Sequence, residues 1–289
     1  IANRAARGKS SRYIEDLRAR LYRFADAFKV PVASVTTGDV QRWIDGLKVK
    51  PQTAKNFRTV LGTLFNFAQS RGYIIKGTNP VEDTERISGV NGEAVEIYTP
   101  AELARLLAAA PEDFKPCVAL AAFAGLRSAE VEWQAWADID LAGGTIVVTK
   151  GKVRTAGRRA VPILPALADW LRPHAKKTGL VWTGAHDAFY DRQHKTIAAT
   201  GTQADKEQGT KAVDPLKWKA NALRHSFISY RLAETRNAPQ VSMEAGNSVA
   251  IVNKHYRELV KSPQAKAWFN VRPERPANII DVEPKAAVL

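Results

Sequence analysis

Between Lys76 and Ile97 the sequence loses all apolar periodicity and runs through Gly, Asn, Pro, Asp and Glu. Turn formers and charges over that length cannot bury one face of a helix or strand, so the stretch reads as a linker. A break there leaves a first third and a longer remainder, each able to carry its own core; 289 residues are long for one domain and comfortable for two. The expected organisation is a helical domain over 1–75, a linker over 76–97, a second domain over 98–270 and an extended tail over 271–289.

The first third has strong helical patterning. Ser10 and Ser11 can cap a helix whose apolar positions Tyr13, Leu17, Leu21, Phe24 and Phe28 recur every three or four residues, with Arg12, Arg18, Arg20 and Arg23 on the other face. A second helix is expected from Thr37, burying Val40, Trp43, Ile44 and Leu47. A third, after Pro51, places Phe57, Val60, Leu61, Leu64, Phe65 and Ala68 on one side, and Gly72 is placed to stop it. Lys48, Lys50, Lys55 and Arg58 crowd its beginning.

Beyond the linker the pattern is mixed. Thr99-Pro100-Ala-Glu102 is a helix start with a cap, a first-turn proline and a glutamate reaching back. Phe114 to Ala124 is an apolar helix ending at Gly125, with Arg127 and Glu130 opening the next. Thr145 to Thr149 has strand character, 150–159 is a basic turn, and Ala160 to Leu164 returns; Leu180-Val-Trp182 is expected to add a third strand. Gly201 to Asp214 reads as a mobile loop, a helix carrying Arg224 runs to about Glu234, and Pro263 to Phe269 reads as a last helix. The fold class is therefore mainly α with a small antiparallel β-sheet.

The net charge is +14, with 43 Lys and Arg against 29 Asp and Glu, and both parts of the chain are basic. That balance suits a long polyanionic partner and salt-sensitive affinity. Cys117, inside an apolar run, is the single cysteine, so neither an internal disulfide framework nor a cysteine zinc site can form. With no apolar run near the roughly 18 residues of a membrane span and no secretory signal, an intracellular, cytoplasmic protein is expected. No Walker loop, metal-ligand cluster or carboxylate pair with two-metal spacing appears, so no metal or other cofactor is expected.

The chemistry-bearing residues lie far apart in sequence. Gly125-Leu-Arg127 and Asn221-Ala-Leu-Arg224-His225 supply two arginines, and Tyr256 follows Gly246-Asn247. Two guanidinium forks can hold both non-bridging oxygens of a phosphate, and a tyrosine hydroxyl in line can attack phosphorus without metal or nucleotide. At these residues the chain resembles the tyrosine recombinases, or phage-type integrases, over roughly Ser10 to Phe269. The family signature falls on Arg127, Lys150, Asn221 with Arg224, Gly246 with Asn247, and Tyr256. Asparagine stands at 221 and 247 where the family usually has histidine, or at the second position tryptophan. Asparagine can hydrogen-bond a phosphate but cannot shuttle a proton near neutral pH.

The resemblance implies a core-binding domain followed by a recombinase catalytic domain. It also implies site-specific strand cleavage and rejoining through a 3′-phosphotyrosyl intermediate. Tyr256 would be the nucleophile, Arg127 and Arg224 the phosphate clamp, and Lys150 the acid that protonates the leaving 5′ oxygen, with Lys152 as runner-up. Asn221 and Asn247 would orient the phosphate. Glu130 would support the site, or be a first-turn acid favoured by the helix dipole. Lys48, Lys50, Lys55, Arg58, Lys152, Arg154, Lys217 and Lys219 are the expected DNA contacts. His225, about 100° round the helix from Arg224, is expected to pack rather than react, and His255 is an alternative base. The partners implied are double-stranded DNA, further copies of the chain as dimer to tetramer on DNA, and accessory DNA-bending proteins, with no membrane. In the family the C-terminal helix often docks into a neighbouring protomer. Two alternatives remain at this point: a DNA-binding protein that keeps the fold with weak or no strand transfer, and a type IB topoisomerase.

Overall fold

A computed structural model describes residues 1–89, 95–149, 158–202, 211–257 and 259–274. The chain divides into two units, Ile1–Glu93 and Ala94–Leu289.

In the first unit a short helix α1 (Ala2–Ala6) precedes α2 (Ser11–Ala27), which the Ser10 hydroxyl caps by accepting from the Tyr13 N–H. Thr36 and Asp39 form a reciprocal capping box for α3 (Thr37–Asp45), and α4 (Pro51–Ser70) starts on a proline. Phe24, Val40, Ile44, Leu61, Phe65 and Val81 close the core, with Phe24 edge-on to both Trp43 and Phe65.

Val81 belongs to the stretch expected to be linker. Residues 79–84 instead fold onto this unit through local hydrogen bonds that leave no periodic trace. The Asn79 side chain accepts from the Val81 N–H, and the Thr84 hydroxyl donates to the Val81 carbonyl. Arg58 completes the attachment, donating to Thr84 Oγ1 at 2.7 Å and to the Val81 carbonyl at 3.0 Å. Its guanidinium is committed to this contact, whereas Lys48, Lys50 and Lys55 lie exposed.

The second unit is built around α6 (Lys115–Phe123), reached from α5 (Pro100–Ala109), whose Thr99–Glu102 capping box is as the sequence predicts. On α6, Pro116 to Leu120, Ala122 and Phe123 are buried, and burial pushes the Cys117 thiol's pKa up, leaving an inert hydrophobe. The short α7 (Ser128–Glu132) follows. Strands β1 (Ile139–Asp140), β2 (Thr145–Val148) and β3 (Arg159–Pro162) form an antiparallel sheet in that order, with Ile146 opposite Ile139 on one side and Val161 on the other.

The third strand is therefore β1, not Leu180–Trp182. Asp140 accepts from the N–H groups of Ala142 and Gly143 and so closes a tight turn between β1 and β2, while Leu180 makes only an isolated bridge to Ala135. Next come α8 (Pro165–Leu171) and α9 (His186–Ala198). Of the loop expected over 201–214, the described ends pair, Thr202 with Val213.

Helices α10 (Ala222–Thr235), α11 (Ala238–Ala245), α12 (Val249–Tyr256) and α13 (Ser262–Trp268) complete the unit. Arg231 on α10 forms a buried two-pronged pair with Glu244 on α11, at 2.9 and 3.0 Å. Trp268, on the last of these helices, is fully buried in its own chain. It stacks on Tyr230 at 4.5 Å and donates its indole N–H to the Ala122 carbonyl.

Candidate active site

Arg127 is held at the start of α7 by a turn that only glycine permits. Gly125 ends α6 with φ +64°, and a Cβ there would sit 2.3 Å from Cδ1 of Phe227. The chain leaves that turn so that the Arg127 N–H meets Glu130 Oε2 at 2.9 Å and its Nη1 meets Oε1 at 2.8 Å. Arg159 on β3 grips the same carboxylate at 3.0 and 2.7 Å, and its Nε donates to the Glu244 carbonyl. Burial alone would raise the Glu130 pKa. The Arg159 hydrogen bonds, the Arg127 N–H and the two guanidinium charges outweigh it and hold the group near 2.

Arg224 comes from the first turn of α10, 6 % exposed, and donates to the carbonyls of Gly125 and Ala245. Burial, then the charges of Arg127 and Arg159, lower its pKa to about 10, so it remains a cation at neutral pH. The two arginines converge on one atom. Asn247 Oδ1 accepts from Arg127 Nη2 at 3.1 Å and from Arg224 Nη2 at 2.8 Å. Gly246, at φ +65° beyond α11, sets Asn247 in this place, and Ser242 Oγ donates to the Asn247 carbonyl. The asparagine expected to orient a phosphate thus lies across both guanidiniums, its side-chain oxygen accepting from each.

Tyr256, the last residue of α12, is 5 % exposed, and its hydroxyl lies 2.7 Å from His225 Nδ1. Burial raises the phenol's pKa, against the opposing pull of Arg224 and Arg127. The His225 imidazole is shifted down by burial, by Arg224 and by His255, which favours its neutral form at pH 7.

The remaining expected residues are placed unevenly. Asn221 is exposed at the cap of α10 with left-handed backbone, φ +56°, and makes no capping hydrogen bond. Asparagine tolerates that conformation better than most residues, and as the cap residue it stands outside the regular turns of α10 that carry Arg224. Lys150, Lys152 and Arg154 lie outside the described residues. Lys217 is exposed. Lys219 is turned inward, its ammonium on the Ile97 carbonyl at 2.9 Å, on Glu102 at 3.1 Å and over the Tyr98 ring. It ties two segments of the unit together through these contacts.

Two contacts leave no sign in the sequence: Arg159 lies in the basic turn expected over 150–159, but its place in β3 brings it to Glu130, and His225, expected to pack, lies against the Tyr256 hydroxyl. Among the described residues no group of three or more His, Cys, Asp or Glu is placed to hold a metal ion.

The sequence profile of the phage integrase family matches residues 96–261, more than half of the chain. The chain is a member of that family. No curated protein sequence matches this integrase. Solved structures match its fold. A lambda integrase dimer bound to a COC′ core site superposes with a TM-score of 0.63 at 16% identity, covering 96% of this chain and 95% of that one. The Tn1549 transposon integrase in complex with circular intermediate DNA gives 0.65 at 17% identity, over 91% and 95%. A lambda integrase tetramer bound to a Holliday junction gives 0.63 at 17%, over 89% and 76%. Among the described residues no helix of this integrase is long and apolar enough to cross a membrane.

Proposed function

We propose that this integrase cuts and rejoins DNA at specific sites, with Tyr256 as nucleophile. The phenol oxygen bonds to phosphorus, the bond from phosphorus to the 5′ oxygen breaks, and a 3′-phosphotyrosyl link preserves the bond energy for religation. Arg127 and Arg224 hold the non-bridging oxygens and stabilise the charge that develops there. Glu130 and Arg159 hold Arg127 in place. The role of Lys150 as the acid that protonates the leaving 5′ oxygen, with Lys152 as the alternative, rests on sequence spacing. Asn247 keeps the two guanidiniums aimed at one point.

The observation that carries this reading is the convergence of Arg127 and Arg224 on a single oxygen acceptor, in a unit that also presents Tyr256. The partner is double-stranded DNA, contacted in the first unit by Lys48, Lys50 and Lys55 and in the second by Lys217. The relatives were captured as a dimer on a core site and a tetramer on a Holliday junction, so assembly of several copies on DNA belongs to the same proposal. Its place of action is the cytoplasm, on the nucleoid.

The test is a library of nicked duplexes, denatured with detergent after incubation. A covalent protein–DNA band that Tyr256→Phe abolishes is the expected result, and sequencing the trapped DNA would give the preferred site. Binding without any Tyr256-dependent band would favour the second reading, a DNA-binding protein that keeps the fold; the asparagines at 221 and 247 motivate it.

A further inference from the structure

The family usually places a histidine at the position that Asn221 occupies here, yet a histidine does touch the tyrosine. His225 Nδ1 and the Tyr256 hydroxyl are 2.7 Å apart, within reach of direct proton transfer. We propose that His225 is the general base for Tyr256 in this chain, taking the place that neither Asn221 nor Asn247 can fill. This rests on the reading of Tyr256 as the nucleophile.

The helix explains why one arginine and one histidine can sit side by side and do different work. Neighbouring residues point about 100° apart on α10. Arg224 therefore faces the turns at Gly125 and Asn247, while His225 faces α12, which brings Tyr256 to it. The separation that keeps His225 away from the phosphate clamp is what aims it at the nucleophile.

In the resting pair the phenol donates and the neutral imidazole accepts at Nδ1, with its own proton on Nε2. As the phenol oxygen bonds to phosphorus, its proton passes to Nδ1 and leaves an imidazolium. The bond to the 5′ oxygen breaks, and that oxygen takes a proton from a separate acid, the role proposed for Lys150. In religation the 5′ hydroxyl returns its proton to that separate acid as it attacks phosphorus, the bond from phosphorus to the phenol oxygen breaks, and the leaving phenolate recovers its proton from the imidazolium. The charged and titratable groups acting on the imidazole are Arg224 on its own helix and His255 on α12. Arg224 and Arg127 act on the phenol. The Arg224 charge disfavours a protonated imidazole before attack, and Arg224 and Arg127 favour a phenolate as it forms.

The test uses the whole protein and a duplex nicked so that the short leaving strand diffuses away, with single-turnover adduct formation followed across pH. Wild type should lose rate as pH falls through the His225 pKa, which lies below the ordinary value of 6.5. His225→Asn keeps an acceptor near the place of Nδ1 but cannot take the proton. It should cut the rate by roughly 10²–10⁴-fold and abolish that acid limb. A substrate whose leaving 5′ oxygen is replaced by sulfur needs no leaving-group acid. It should therefore leave the His225→Asn defect in place.

An adduct rate for His225→Asn close to wild type, or a defect that sulfur fully rescues, would overturn the role. ¹⁵N NMR of the free protein gives a check independent of turnover. Nδ1 of His225 should be unprotonated and its signal should move in Tyr256→Phe; a protonated Nδ1 would overturn the assignment. Wild type that forms no adduct at all would sink the nucleophile and this role together. An unaffected His225→Asn beside an active wild type would sink this role alone.

Discussion

The two halves of the candidate site are built differently. The arginine half is over-determined: Arg127, Arg159, Arg224, Glu130 and Asn247 are cross-connected by six hydrogen bonds of 3.1 Å or less. The proton-handling half is sparse, consisting among the described residues of an exposed Asn221 and the single His225–Tyr256 contact. Preorganised charge stabilisation needs rigidity, because dipoles and cations that must reorient in the transition state lose their advantage. Proton transfer needs one well-placed pair. The sequence departs from its family in both halves, at Asn247 in the first and at Asn221 in the second, and in the second a different neighbour can supply the missing group.

The comparison breaks first at Arg224. Arg224→Ala should lower covalent adduct formation by roughly 10²–10³-fold or more while DNA binding persists, measured by single-turnover cleavage beside a gel-shift assay. A variant that cleaves at the wild-type rate would show that the rigid half is scaffolding only.

Gly125→Ala tests whether that half depends on the end of α6. The added Cβ meets Phe227 and the backbone keeps a positive φ, so overpacking and strain together should cost about 3 kcal/mol or more, read as a lower denaturant midpoint.

Glu130→Gln should have the smallest effect, and one that depends on pH. The folded pKa of Glu130 lies near 2, below the ordinary 4.5, so its contribution is fully present above about 4.5 and is lost as pH falls towards 2. The variant should be less stable than wild type by about 2–3 kcal/mol at pH 7. That gap should close on acidification, and a gap that stays constant down to low pH would mean the carboxylate's charge is not what holds the two arginines.

Much of the scaffold was legible in the sequence because its signals are local. The caps at Ser10 and Thr99, the prolines opening α4 and α5, and the glycines after α4 and α6 each act within four residues. What stayed hidden depends on partners far along the chain. Arg159 meets a carboxylate 29 residues away, His225 a hydroxyl 31 away, and Arg58 a threonine 26 away. Helix α9 was missed because its apolar face is thin: Phe189 and Ile197 are its buried hydrophobics among His, Asp, Arg and Lys. A cation in a sequence looks the same whether it faces a phosphate or a carbonyl, so the carbonyl contacts of Lys219 and Arg58 leave no mark there.

The shared carboxylate has a further consequence, in the arithmetic of charge. Three guanidiniums against the one ionised Glu130 leave this cluster with a surplus of two positive charges. A phosphodiester brings one negative charge, and a phosphorane formed by attack of a deprotonated phenol carries two. The cluster is therefore neutralised by the species halfway through the reaction and left over-charged by the intact strand, which is the inequality a catalyst needs.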